Sequence, residues 1–90
     1  EANPGLVVPL GTELYLKLKC KKPINKFYEN RTPSDTLLEI NKVRKEGDNY
    51  FYKILFKTRG QHDLYIDYGN NQKMVMMFIS VVVSAVYQKS

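Results

Sequence analysis

Ninety residues, 43% of them hydrophobic and 26% charged, are enough for one packed domain and too few for two, since a chain this size hides only about two-thirds of its unfolded surface. The hydrophobic content excludes intrinsic disorder. The net charge of +5 admits polyanionic partners, and a single cysteine, Cys20, excludes an internal disulfide and a multi-cysteine zinc site. Seven Tyr and four Phe with no Trp favour strands, where flat rings pack on a pleated surface. The chain begins at Glu1 rather than Met, which reads as a processed or excised piece of a longer protein.

Pro4, Gly5, Pro9 and Gly11 punctuate the start, so Leu6 to Leu10 reads as a short edge strand broken by Pro9. From Thr12 to Cys20, Leu14, Leu16, Leu18 and Cys20 alternate with Glu13, Tyr15, Lys17 and Lys19, the period of two of a half-buried strand. This parity buries Cys20 beside Leu18. Lys21, Lys22 and Pro23 close the strand, Ile24 to Tyr28 reads as a shorter one, and the polar stretch Glu29 to Asp35 reads as a loop. Leu37, Leu38, Ile40 and Val43 fit either a strand or a pair of helical turns over Thr36 to Val43, and the strand-like flanking segments favour the strand. Glu46, Gly47, Asp48 and Asn49 form a turn cluster of the kind that joins antiparallel neighbours.

Tyr50, Tyr52, Ile54 and Phe56 then alternate with Phe51, Lys53, Leu55 and Lys57 in a second strong strand. Past a turn at Arg59-Gly60-Gln61, His62, Leu64, Ile66 and Tyr68 alternate with Asp63, Tyr65 and Asp67. Gly69, Asn70 and Asn71 tolerate positive φ and make a tight turn into a closing strand from Lys73. The nearly unbroken apolar run Met74 to Val86 falls short of the roughly 20 residues a helix needs to cross a bilayer. Its Val, Ile and Phe content predicts a long buried strand and no membrane span.

About seven strands, joined by turn clusters without helical crossovers, predict an all-β fold of two antiparallel sheets packed face to face. The run Gly60-Gln61-His62-Asp63-Leu64-Tyr65-Ile66-Asp67-Tyr68-Gly69, with its polar turn and long apolar last strand, resembles the final hairpin of immunoglobulin-like sandwich modules in secreted and surface bacterial proteins. His62 stands where many of those modules carry an aromatic. The resemblance implies a non-catalytic accessory module of a larger extracellular or cell-surface protein, carbohydrate-active proteins among them. Its role would be spacer, packing partner for a neighbouring domain or another protein, or adhesion surface.

Catalysis needs convergent groups. The only nucleophile and base of the Cys-His kind are Cys20 and His62, both on inward parity, and the expected roles are buried thiol and hydrogen-bonded core histidine. Asp63, Asp67, Asp48, Asn49, Asn70 and Asn71 lack the dense spacing of a calcium loop, so no metal and no cofactor is expected. Lys17, Lys19, Lys21, Lys22 and Lys26 form the one basic cluster, and Tyr15, Phe51 and Tyr65 fall on outward parity. Rings beside cations can hold a glycan or another polyanion, and edge protection or cross-strand pairing explains the same residues without a ligand. No nucleic-acid motif occurs and only three arginines are present, so nucleic acid is not the expected partner.

Overall fold

Alternation in the sequence becomes alternation of burial in the computed structural model, which describes residues 5–83. Over these residues the chain is all-β, with eight strands and no helix. Five of them, β1 (Gly5–Pro9), β3 (Lys26–Thr32), β4 (Thr36–Glu39), β7 (Gly60–Gly69) and β8 (Gln72–Val82), make one sheet in the order β1-β8-β7-β3-β4. The other three, β2 (Glu13–Lys19), β5 (Arg44–Glu46) and β6 (Asn49–Leu55), make a second sheet in the order β2-β6-β5.

One face of each sheet points to a shared core. Tyr50, Tyr52 and Ile54 of β6, with Phe56 beyond it, are buried, as are His62, Leu64 and Ile66 of β7, Phe27 of β3 and Ile79 and Val81 of β8. Rings join the layers: Phe27 meets Tyr52 at 4.3 Å between centroids, and Phe56 meets His62 edge-on at 5.2 Å. No helix among the described residues is long and apolar enough to cross a membrane.

The pairing is antiparallel except for β1, which runs parallel to β8 from Gly5 opposite Phe78 to Pro9 opposite Val82. An edge position suits Pro9, which has no amide hydrogen to give a ladder. The chain then steps between sheets in three residues. Leu10 N donates to Val82 O in the first sheet, while Gly11 N donates to Phe56 O and Thr12 O accepts from Phe56 N beside the second.

Five sequence expectations need correction. Glu29 to Thr32 is not loop but the second half of β3, paired with both β4 and β7. Thr36 to Val43 is not one strand: β4 ends at Glu39 in the five-stranded sheet, and the chain crosses to begin β5 at Arg44 in the other. Leu14, Leu16 and Leu18 point inward yet are only half-buried, because β2 is an edge strand covered on one side. Cys20, just past that strand, is likewise half-buried. The closing strand spans Gln72–Val82 and is partly open, with Met74 and Phe78 exposed; residues 84–86 of the expected strand lie outside the described residues.

Gly60, the first residue of the resembling hairpin, is required by a close approach. Its φ is +118°, and a Cβ there would stand 2.3 Å from the Thr32 carbonyl oxygen. Any side chain forces β7 away from the end of β3.

Candidate functional site

Pairing register brings together residues that are far apart in sequence. On the outer face of the three-stranded sheet, Lys17 lies opposite Phe51, which lies opposite Arg44; Tyr15 lies opposite Lys53; and Lys19 lies opposite Asn49, which faces Glu46. Tyr15 is 67% exposed. Its hydroxyl donates to Glu13 Oε1 at 3.0 Å, Lys53 Nζ approaches Glu13 Oε2 at 3.5 Å, and the same ammonium lies 6.0 Å from the Tyr15 ring centre. Phe51 is covered: the Arg44 guanidinium lies 3.9 Å over its ring while Arg44 Nε donates to Glu46 Oε2 at 2.6 Å.

The expected binding residues divide between surfaces. Tyr15, Lys17, Lys19 and Phe51 share the outer face of the three-stranded sheet. Tyr65 lies on the outward side of β7 in the other sheet, so the two layers separate it from Tyr15. Tyr65 stacks on its cross-strand partner Tyr28, rings 5.3 Å apart and nearly parallel. Lys26 is on that second outer face too, opposite Asp67, where it joins Tyr28, Leu37, Glu39, Asp67 and Lys73 around a cleft of about 260 Å³. Two lysines and two carboxylates there balance one another. Lys21 and Lys22 lie in the exit from β2, where Lys22 donates to Gln72 Oε1 and lies 5.3 Å from the centre of the Tyr68 ring.

Charge is segregated between the sheets. The strands β2, β5 and β6 carry five cations, Lys17, Lys19, Arg44, Lys45 and Lys53, against Glu13 and Glu46. The other five strands carry Lys26, Arg31 and Lys73 against Glu29, Glu39, Asp63 and Asp67. Arg44 and Lys53 join this basic surface although neither belongs to the lysine cluster of the sequence. The outward parity of Lys53 was legible, whereas its register against Tyr15 is a property of the fold.

His62 is the hydrogen-bonded core histidine expected from its parity, but its partner Glu29 comes from the stretch expected to be a loop. His62 and Glu29 are 0% and 3% exposed, with His62 Nδ1 2.6 Å from Glu29 Oε1. His62 Nε2 donates to the Thr58 carbonyl at 2.8 Å, and Arg31 Nη2 donates to Glu29 Oε2 at 3.3 Å. Both ring nitrogens and both carboxylate oxygens therefore have partners, the condition for burying such groups without a large penalty. Cys20 is not near this pair. Its amide bonds to Asp48 O beyond the Lys19 end of β2, whereas Thr58 and His62 lie beyond the Leu55 end of β6. Cys20 instead belongs with Tyr52 and Tyr68. Burial, then Tyr50 and Cys20, pushes the Tyr52 phenol up to about 12, and burial, then Cys20, raises that of Tyr68.

This geometry defines an all-β, two-sheet domain with one basic outer face and one charge-balanced outer face. No protein-family model matches the chain, and no curated protein matches it either.

Proposed function

We propose that this chain is a non-catalytic, immunoglobulin-like module of a larger secreted or cell-surface protein, and that its partner is a neighbouring domain. The strand order supports the immunoglobulin-like reading. On this reading β2, β6 and β5 take the places of the B-E-D strands of such sandwiches, and β8, β7, β3 and β4 those of G-F-C-C′, with the first strand moved beside the last. The central place of β7, between β8 and β3, agrees with the hairpin resemblance, which implies a carbohydrate-active or surface protein as the setting.

The observation that carries the packing role lies at one end of the domain. Leu10 and Val83 are 42% and 61% exposed, and Leu10 N bonds to the residue before Val83. Pro33, Arg59, Gly60, Val81, Val82 and Val83 line an open hollow there of about 530 Å³. Apolar side chains gathered around a hollow are what a packed neighbour covers.

Thermal unfolding of the domain within its full-length parent, set against the 90-residue chain alone, tests this. A covering neighbour raises the midpoint by about 5 °C for each kcal/mol of interface, and Leu10→Asp with Val83→Asp removes the increase. An identical midpoint in both contexts would rule out a packing partner.

A further inference from the structure

We infer that the outer face of the three-stranded sheet is a binding platform for an acidic polysaccharide, with Lys17, Lys19 and Lys53 meeting its anionic groups and Tyr15 stacking on a sugar ring. Segregated charge is the first reason. Among the described residues this outer face has cations in excess, Lys17, Lys19, Arg44 and Lys53 against Glu13 and Glu46, whereas the opposite face opposes Lys26 and Lys73 with Asp67 and Glu39. A polyanion is therefore drawn to one side of the domain.

The register is the second reason. Residues two apart on a strand are separated by about 7 Å and adjacent strands by about 5 Å. Lys17, Lys19 and Lys53 thus fall within a patch that one short stretch of an extended polymer spans. Lys17 and Lys19 are exposed and have no ion-pair partner among the described residues. Lys53 keeps only a 3.5 Å contact to Glu13. Arg44, by contrast, is already engaged by Phe51 and Glu46.

The third reason separates a polysaccharide from a single-stranded nucleic acid. Successive bases need a row of rings with open faces. Here Phe51 is covered by Arg44, and Tyr28 and Tyr65 cover each other on the opposite side, which leaves Tyr15 as the one open outward ring of these four. One ring is enough for the apolar face of one sugar. Lysines, as flexible point charges, accept carboxylate or sulfate groups without the planar fit that arginine demands.

This platform is separate from the apolar end around Leu10 and Val83, so the two readings fail independently. Binding of the 90-residue chain to heparin, to a polyuronate, to neutral dextran and to a thymidine oligonucleotide of matched charge, titrated at several salt concentrations, tests the platform. Heparin and the polyuronate should bind at low salt, dextran should not, and the oligonucleotide should bind more weakly. Lys17→Gln with Lys53→Gln should reduce the log–log salt slope by about two, and Tyr15→Ala should weaken binding about tenfold without changing that slope. Lys26→Gln with Lys73→Gln, on the other face, should leave affinity within about twofold by the same electrostatic reasoning. Absence of binding to both acidic polymers, equal binding to dextran, tighter binding to the oligonucleotide, or an equal loss in the Lys26 and Lys73 variant would each overturn the assignment.

Discussion

The two sheets of this domain perform different work. The five-stranded sheet places Phe27, Leu64 and Ile79 at 1% exposure or less and encloses the Glu29–His62 contact. The three-stranded sheet seals its core with β6, leaves the leucines of β2 half-covered and carries most of the strand cations. Both have alternating side chains, so alternation alone does not separate them. Neighbours do: β7 and β3 have a strand on both sides, whereas β2 has one. In a small sandwich an inward residue is sealed only when the strands beside it also cover it.

The buried pair offers the largest perturbation. Glu29→Leu leaves His62 facing an apolar group in a dry site, and loss of one partner of a buried pair costs about 3–5 kcal/mol. The double variant Glu29→Leu with His62→Leu, which leaves neither group unmatched, should recover a large part of that loss. Urea denaturation of the two variants measures the difference. A double variant no more stable than Glu29→Leu would mean that Thr58 and Arg31, left without their partners, matter more than the pair itself.

A smaller effect separates the sheets directly. Leu64→Ala removes a side chain with no exposed surface and leaves a cavity, at a cost of about 2–5 kcal/mol. Leu16→Ala, inward but half-exposed at the sheet edge, should cost distinctly less, because water already reaches the site and less apolar surface is returned to it. Equal losses in the two variants would show that β2 is as well sealed as β7.

The sequence made some of this contrast legible and concealed the rest for physical reasons. Tyr50, Tyr52, Ile54 and Phe56 were readable as core because a strand with one buried face must alternate, and they do. Glu29 was not, since a buried carboxylate has the polarity of a loop residue and its partner His62 lies 33 positions away. Its parity with Phe27 was the available signal. The run from Thr36 to Val43 misled for another reason: β4 and the approach to β5 carry similar residues, and nothing local marks the point where a chain leaves one sheet for the other. The lysines of β2 were visible as a cluster, but the surface they form with Lys53 and Tyr15 exists only through cross-strand register. Sequence proximity instead grouped Lys26 with them, although it lies across the domain.

The smallest effect is confined to alkaline solution and concerns Tyr52 of the three-stranded sheet, whose ring lies 4.3 Å from that of Phe27. Burial first, then the neighbouring Tyr50 and Cys20, raises its phenol from the ordinary value of 10.0 to about 12. The group is an acid, so a raised value in the folded state means that folding holds the proton more tightly than the unfolded chain does. Its contribution to stability is fully present below pH 10, where the phenol is neutral in both states, and is lost as pH rises from about 10 through about 12. Tyr52→Phe keeps the ring against Phe27 and removes the titration. Urea midpoints for the native chain and this variant should therefore differ by a constant amount below pH 10, and the native chain should fall more steeply above it. Parallel decline across the whole range would mean that the Tyr52 hydroxyl reaches solvent, and that β6 seals its side of the core less completely than β7 does.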